Sequence, residues 1–356
     1  MKLTKLYIHN YKSFYDTTIE LDKLNIVVGE NNSGKSNLID VLEFINIAMS
    51  KDIERAISDK GGYDKIKNYS AVGEEKVVVR ATFDNNLTFS FSFTKNYAIL
   101  SEYLYKKHIV CHKSYFDSKI YRKKIFRCSS KKNFFTVVHF SLIKSFYPIS
   151  TYYFDAQKIR TLSNQDSKYS ELLKNGSNLG KILYEIKEKD KNRFEAISNS
   201  LITTVNEIDA VEVQKVLGSY VIGFRERGEE PIPIHIVSDG TINFLATMIA
   251  LNQPTDASLL AFEEPERHLH LNAVNYMLET FRNSDKQIII TTHSTEIIKY
   301  ADLKEIIFIY RDSDGDTQSI RADAIPNLRE KMKRLAYERD VTLDELIGEG
   351  MIGTFE

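Results

Sequence analysis

The stretch that decides the fold is Gly29-Glu30-Asn31-Asn32-Ser33-Gly34-Lys35-Ser36. An apolar segment with the composition of a strand, Leu24 to Val28, precedes it, and Asn37 to Met49, with apolar residues at helical spacing, follows it. The pattern G-x-x-x-x-G-K-[ST] in this context is typical of a phosphate-binding loop. A chance glycine turn before a helix is disfavoured because strand, loop and helix are all in place.

Each residue type in this loop has a chemical reason to be there. Glycines let the backbone curl so that N–H groups point at phosphate oxygens, and the helix N-terminus adds partial positive charge. Lys35 is expected to reach the β- and γ-phosphates of ATP, and the Ser36 hydroxyl to bind Mg²⁺. The residues predicted to surround the nucleotide are Gly29, Asn31, Asn32, Ser33, Gly34, Lys35, Ser36 and Asn37.

A second acidic element is needed to complete a Mg²⁺ site, and it should end an apolar strand. Leu259-Leu260-Ala261-Phe262-Glu263-Glu264 has this form. Glu263 is predicted to hold the metal, and Glu264 to polarise the water that attacks the γ-phosphate. Adjacent glutamates after a strand are often only solvated, but here the apolar strand would direct both carboxylates at the site.

A third apolar strand, Ile288 to Thr292, ends at His293. A histidine at this point can donate a hydrogen bond to the γ-phosphate and so respond to its presence. A lone histidine at a strand end is more often structural. Its position one strand–helix–strand unit after Glu264 makes His293 a candidate catalytic residue.

At this point the sequence resembles the ABC-type ATPases of the SMC, RecF and OLD group, and most nearly the prokaryotic defence-associated ATPases labelled "AAA family". The segments that carry the resemblance are "LYIHNYKSF", "GENNSGKS", "SDGTINFLA", "LLAFEEPERHLH" and "TTHS". The resemblance implies an α/β P-loop NTPase: an ABC/SMC-like head with a mixed sheet, an antiparallel β subdomain and a helical lobe. It also implies Mg²⁺-dependent hydrolysis of ATP to ADP and phosphate.

The resemblance assigns roles that local patterns do not. Ser238-Asp239-Gly240-Thr241 corresponds to the signature motif, in which Ser238 and Gly240 would contact ATP held by a second copy. Without the family, this segment is a turn and helix cap. Gln157 stands where such ATPases sense Mg²⁺, and Lys12 lies in the opening turn whose basic residue often contacts the nucleotide. The resemblance therefore implies a homodimer with ATP sandwiched between two heads.

Residues 1–356 are expected to form one composite head with four recognisable parts. These are a β and basic aromatic insert at 84–147, a helical lobe at 161–230, a core at 231–310, and a C-terminal helix and tail at 311–356. Within them, a hairpin is predicted about residues 84–86, helical structure over 167–208, a strand near 220–224 and a charged helix at 326–340.

Composition excludes some classes of protein. The formal net charge is −1, so the whole chain is not a polycation that coats nucleic acid. No apolar run approaches the ~20 residues that cross a bilayer. Only Cys111 and Cys128 are present, which favours a reducing compartment. We therefore expect a cytoplasmic protein without a membrane partner.

The insert at 101–135 is locally basic. It holds ten Lys and Arg against Glu102 and Asp117, with Tyr and Phe interleaved. Such a segment suits phosphate contacts and base stacking, but a solvated hairpin with lysines that prevent edge pairing has the same composition. The spacing of His108, Cys111, His112 and Cys128 would also tolerate zinc. Nucleic-acid binding through 101–135 is one hypothesis among these.

Three functional hypotheses follow. The first is a dimerising, ATP-dependent switch that controls a separate effector protein, a nuclease or toxin, in anti-phage defence or a DNA transaction; the segment after His293 is too short for the Toprim nuclease domain of OLD proteins. The second is a RecF- or SMC-like repair ATPase that binds DNA directly. A transporter ATPase is disfavoured because "SDGT" replaces its "LSGGQ"-type signature.

Overall fold

The fold is given by a computed structural model, which describes residues 1–71, 73, 75–85, 87–104, 108–116, 125–127, 147–161, 169–205, 207–326 and 328. Within the basic insert, only the strand backbones at 101–104, 108–116 and 125–127 are described. The side chains of that insert, the helix predicted at 326–340 beyond its first residues, and the tail lie outside the described residues.

An antiparallel sheet contains the N-terminus. Its strands are β1 (Leu3–Tyr11), β2 (Phe14–Glu20), β4 (Val77–Phe83), β5 (Thr88–Phe93), β6 (Tyr97–Leu104), β7 (His108–Phe116) and β8 (Ile125–Arg127). They lie in the order β2-β1-β4-β5-β6-β7-β8. The predicted hairpin is present, since β4 and β5 pair antiparallel from Val77 opposite Phe93 to Thr82 opposite Thr88.

The second sheet is mixed and carries the nucleotide loop. Its strands are β3 (Leu24–Val28), β9 (Ile149–Tyr152), β13 (Leu259–Glu263), β14 (Gln287–Thr292), β15 (Ile306–Arg311) and β16 (Thr317–Arg321). Their order is β16-β15-β3-β14-β13-β9. All neighbours are parallel except β15 and β16, which form an antiparallel hairpin at the edge.

Helices cover the mixed sheet and build a lobe beside it. The described helices are α1 (Lys35–Ser50), α2 (Ile53–Asp59), α3 (Tyr63–Ile66), α4 (Ala156–Arg160), α5 (Leu179–Lys189), α6 (Lys191–Thr204), α7 (Asp239–Asn252), α8 (Leu271–Asn283) and α9 (Thr295–Lys299). The apolar residues of the mixed sheet alternate between two cores. Ile26 and Ile288 pack in the core that includes α7 and α8, whereas Val27 and Ile289 pack in the core that includes α1. Burial on both faces explains why these strands are continuous apolar runs.

The lobe differs from the prediction in detail. Helical structure was predicted over 167–208, but the helices there are α5 and α6, and they are separated at Asp190, whose carboxylate accepts from the Arg193 N–H. A three-stranded sheet of β10 (Ile208–Val216), β11 (Ser219–Glu226) and β12 (Ile232–Pro233) follows. β10 was not predicted because its sequence signal is weak: four of its nine residues are polar or charged, and only three of the nine are buried. Among the helices of the described residues, none has the length and apolar composition needed to cross a membrane.

Candidate active site

Three neighbouring parallel strands end at one edge of the mixed sheet. β3 leads into the glycine loop, β13 ends at Glu263, and β14 ends at Thr292, directly before His293. The register pairs Thr292 with Val28 and Glu263 with Thr291, so the three strand ends are level with one another. The carboxyl edge of a parallel sheet is where ligands of α/β proteins bind. The topology therefore brings the loop, the paired glutamates and the histidine together, as the sequence predicted.

The glycine loop has a shape that only glycine allows at two positions. Gly34 has a φ of 116°, and a Cβ built there would lie 2.6 Å from Thr317 Oγ1. At Gly29 a Cβ would lie 2.2 Å from the carbonyl oxygen of Ile309. Gly29 thus lets the loop approach β15, and Gly34 provides the left-handed turn into α1.

Lys35 folds back over this loop. Its Nζ donates to the carbonyl oxygens of Gly29 at 2.6 Å and Glu30 at 2.7 Å. The residue is only 9% exposed. Burial lowers the pKa of Lys35, and the negative charges of Glu264, Glu263 and Glu30 oppose that shift. The loop therefore holds a buried ammonium group beside two carboxylates.

The two adjacent glutamates have different partners. The Ser36 hydroxyl donates to Glu263 Oε1, which joins the start of α1 to the end of β13. Glu264 Oε1 lies 2.7 Å from His293 Nδ1, across the ends of β13 and β14. The backbone of Glu264 has a φ of 48° and turns the side chain away from the strand, while its N–H still donates to the Thr291 carbonyl at 2.8 Å. One carboxylate thus meets the loop and the other meets the histidine.

These residues surround a polar cavity of about 190 Å³. Its lining residues are Asn31, Asn32, Gly34, Lys35, Ser36, Asn37, Glu263, Glu264 and Thr291. The buried Thr291 Oγ1 has no hydrogen-bond partner and is a hydroxyl that a bound group could satisfy. The hydroxyl of Ser36 and the carboxylate of Glu263 are oxygen ligands of the kind that Mg²⁺ takes. The residues therefore fit a Mg²⁺–nucleotide, with Ser36 and Glu263 at the metal.

Seven of the predicted site residues do not line this cavity: Gly29, Ser33 and His293 are in segments that adjoin lining residues, and four others have different contacts. Lys12 forms an ion pair with Asp40 at 2.7 Å. Gln157 lies exposed in the first turn of α4. Ser238 caps α7, since its Oγ accepts from the Thr241 N–H at 3.1 Å, and Gly240 lies where a Cβ would be 2.1 Å from the His268 carbonyl oxygen. The roles that the resemblance implies for these four residues stay predictions.

The sequence reasoning missed a buried carboxyl beside the site. Glu266 is 5% exposed, and its Oε1 accepts from the Thr292 hydroxyl while its Oε2 has no hydrogen-bond partner. Burial raises the pKa of Glu266 to about 7, with the Thr292 hydrogen bond opposing that shift. Thr291 and Thr292 were also given no role. Polar residues at the end of a buried strand, next to His293, were the available signal.

Comparisons with known proteins agree with this geometry. A family model described as "AAA domain, putative AbiEii toxin, Type IV TA system" matches residues 24–299. A Helicobacter pylori protein named ATP/GTP phosphatase is 24% identical over 343 residues, which cover 83% of this chain and 86% of that protein.

Solved structures of Smc heads have a similar fold. An Smc head bound to the C-terminal winged-helix domain of ScpA has a TM-score of 0.52 and 18% identity, and the match covers 90% of this chain and 98% of that chain. An Smc head with an extended coiled coil, bound to the C-terminal domain of ScpA derived from Pyrococcus furiosus, has a TM-score of 0.51 and 17% identity, and covers 95% and 99%. The chain therefore belongs to this AAA-domain family, and it is an ATP-hydrolysing enzyme whose head has the fold of an Smc head.

Proposed function

We propose that the chain is an ATP-dependent switch in which two copies close face to face on two ATP molecules and control a separate partner protein. The observation that carries the proposal is the separation of Ser238 from the cavity. Lys35, Ser36 and both glutamates line the cavity, whereas the exposed Ser238 caps a helix outside its lining. A second copy that offered its Ser238 would complete the phosphate contacts.

Four of the residues that line the cavity have a defined task in this proposal. Lys35 leaves its two carbonyl partners and pairs with the β- and γ-phosphates, which are stronger acceptors because they are charged. Ser36 and Glu263 would hold Mg²⁺, which when bound would supply positive charge that offsets the negative charge of the phosphates. Glu264 accepts a hydrogen bond from the attacking water and takes its proton.

His293 orients the catalytic carboxylate. Its Nδ1 lies 2.7 Å from Glu264 Oε1, so a hydrogen bond from this nitrogen leaves the other carboxylate oxygen available for water. The imidazole is 53% exposed, which gives its second nitrogen access to a phosphate or to a second copy. His293 thereby links the carboxylate that activates water to the γ-phosphate, whose loss ends the closed state.

Closure and opening follow from the charge of the γ-phosphate. With ATP bound, the γ-phosphate is held by Lys35 of one copy and by the α7 N-terminus with Ser238 of the other. Hydrolysis and release of phosphate remove that shared contact, and the two copies separate. The shift of the equilibrium between open and closed states is limited by the difference between the contacts that ATP and ADP make.

The test is the state of two variants with ATP. Glu264→Gln removes the base but keeps the shape, and we expect it to form a stable dimer at saturating ATP, seen by light scattering after size exclusion. Lys35→Ala is expected to lose nucleotide binding in calorimetry. The exposed Glu188 provides a matched control, since Glu188→Gln should behave as wild type. A monomeric Glu264→Gln protein at saturating ATP would contradict the proposal.

A partner protein is the second element of the proposal. The similar Smc heads were solved with a domain of ScpA bound, which is a property of those proteins and supports the idea that a head of this fold works through a bound protein. The family description includes a putative toxin and a toxin–antitoxin system, which supports an effector of the toxin class. Affinity capture of the ATP-bound Glu264→Gln protein, followed by mass spectrometry, would identify the partner.

A DNA-binding ATPase is the second candidate, and the ten Lys and Arg at 101–135 favour it. Binding carried by phosphate contacts weakens steeply with salt. If the insert binds DNA, replacement of Lys106, Lys107, Lys123 and Lys124 by Gln should weaken binding and reduce its salt dependence. Replacement of four other lysines, Lys2, Lys189, Lys191 and Lys304, is the matched control. Equal affinity of the two fourfold variants would contradict this candidate.

A further inference from the structure

Arg160, the last residue of α4, contacts the turn that carries Ser238. Its Nη2 donates to the Val237 carbonyl oxygen at 2.8 Å and lies 2.5 Å from Asp239 Oδ1. These two partners are the residues on either side of Ser238. The Arg160 side chain is 14% exposed, so the contact is largely shielded from water. One guanidinium group therefore fixes both ends of this turn.

The Nε–H group of Arg160 makes this contact unusual. The buried Nε of Arg160 has no hydrogen-bond partner. A buried donor without a partner costs stability. Stability alone therefore does not explain why an arginine lies here. The role of Arg160 is better sought in what its guanidinium contacts, which is the turn of Val237 to Asp239.

The charge of Asp239 supplies a reason. Asp239 lies in the first turn of α7, directly after Ser238, and its side chain is 40% exposed. A carboxylate in the first turn stabilises the helix, but it also repels any phosphate that approaches the same N-terminus. The guanidinium of Arg160 cancels that charge and holds the carboxylate to one side. The anion-binding character of the helix N-terminus is thereby kept.

Helix α4 connects Arg160 to the mixed sheet that carries the cavity residues. α4 begins after β9, the neighbour of the strand β13 that ends at Glu263. The Asp155 carboxylate caps α4 by accepting from the N–H groups of Gln157 and Lys158, and the Ile159 side chain is buried in the core. A short, capped helix thus joins the edge of the mixed sheet to the turn at Ser238.

We propose that Arg160 is a positioning residue: it fixes the turn of Val237 to Asp239 and neutralises Asp239, so that this turn can receive the nucleotide of a second copy. The inference rests on the proposed function, because it gives Ser238 a role at the partner's ATP. It predicts a defect that acts in trans, on the site of the other copy, and leaves the cavity of the same chain intact.

The first test separates positioning from folding. Arg160→Ala is expected to lower kcat for ATP at least tenfold, while ATP binding by Lys35 and its neighbours in the same chain changes less than twofold. Arg160→Ala with Asp239→Asn should recover part of that loss, because the uncompensated charge is gone. Arg55→Ala, which breaks the exposed 2.8 Å pair with Asp59, is the matched control and should leave turnover unchanged.

The second test is complementation between variants. Arg160→Ala retains its own Glu264, and Glu264→Gln retains its own Arg160, so neither pure protein should hydrolyse ATP well. An equal mixture should recover up to about a quarter of wild-type turnover, because about half of random dimers are mixed and each contains one complete site. If Arg160→Ala does not fold, Arg160→Gln keeps a donor without the charge and has the same expected outcome.

The failures of this test are distinguishable. A Glu264→Gln protein that stays monomeric with ATP overturns the proposed function, and the inference falls with it. If Glu264→Gln dimerises with ATP but the equal mixture remains inactive, the role of Arg160 is overturned and the proposed function is not. Wild-type turnover by Arg160→Ala itself has the same consequence.

Discussion

At the scale of single residues, Glu266 shows what burial does to a carboxyl group at this site. It is 5% exposed, and burial raises its pKa from an ordinary value of 4.5 to about 7. Between these two pH values the folded protein holds a proton that the unfolded chain releases. The free energy of unfolding therefore decreases as pH rises through this window.

Glu266→Gln removes this pH dependence because an amide stays neutral. We expect the variant and the wild type to have similar free energies of unfolding at pH 5, and the variant to be more stable at pH 8 by up to about 3 kcal/mol. Urea unfolding at the two pH values measures the difference. Glu188→Gln, at an exposed position, should show no such trend. An advantage of Glu266→Gln that is equal at pH 5 and pH 8 would contradict a neutral Glu266 in the folded state.

Gly34 offers a second test at this scale. A side chain there would combine an unfavourable φ of 116° with approaches of 2.6 Å to Thr317 Oγ1 and 2.9 Å to Ser13 Oγ. Gly34→Ala is expected to cost about 1–3 kcal/mol of stability and to weaken ATP binding at least tenfold, since the loop must shift. Gly228→Ala is the control, because Gly228 has a φ of 73° but open space around its Cβ position. Gly228→Ala should therefore keep its ATP affinity. If both variants lose ATP affinity, backbone strain alone explains the result and the close contacts of Gly34 do not.

At the scale of elements, the hairpin of β15 and β16 braces the phosphate loop. Arg311 Nε donates to the Asn32 carbonyl oxygen at 3.0 Å, and Thr317 Oγ1 donates to the Ser33 carbonyl oxygen at 2.8 Å. The loop is thus held by hydrogen bonds from outside the strand–loop–helix unit that contains it. A loop that is fixed before ATP arrives loses less conformational entropy on binding.

Removal of one of these hydrogen bonds should therefore weaken binding of ATP more than it weakens the fold. Thr317→Val keeps the shape of a buried side chain and removes the hydroxyl. We expect a cost of about 1 kcal/mol in the free energy of unfolding and a severalfold increase in the Kd for ATP, measured by urea unfolding and calorimetry. Thr203→Val removes a comparable 2.8 Å bond to Asn199 on α6 and should leave ATP affinity unchanged. Equal Kd values for the two variants would show that the hairpin does not order the loop.

The elements that carry the site could be predicted because each has a local signal. The loop has its glycines, β13 and β14 are apolar runs that end in polar residues, and parallel strands place such ends along one edge. The contacts of Arg160 with Asp239 and of Thr317 with Ser33 had no such signal, since their partners lie far apart in the sequence. β10 was missed for a related reason, because its pairing with β11, rather than a strong pattern in its own sequence, makes it a strand.

At the scale of the whole molecule, the proposed chemistry is divided between two surfaces of one chain. The cavity contains the loop and both glutamates, and the exposed Ser238 lies outside its lining. Gly240, two residues into the same turn, packs so closely on the His268 carbonyl that a Cβ there would lie 2.1 Å away. The segment after Glu264 therefore packs directly against the turn that carries Ser238, and in the proposed dimer this contact would couple chemistry in one copy to contacts with another.

If two copies are required for each turnover, ATP hydrolysis per chain must depend on protein concentration. We expect the specific activity to rise with concentration and then to level off, because closed dimers form only when copies meet. Ser238→Ala should lower the plateau at least tenfold while the Kd for ATP of the single chain stays within twofold, since Ser238 does not line that chain's cavity. Ser58→Ala, at an exposed position on α2, is the matched control. Specific activity that is independent of concentration down to the lowest measurable level, together with normal turnover by Ser238→Ala, would mean that one chain hydrolyses ATP alone.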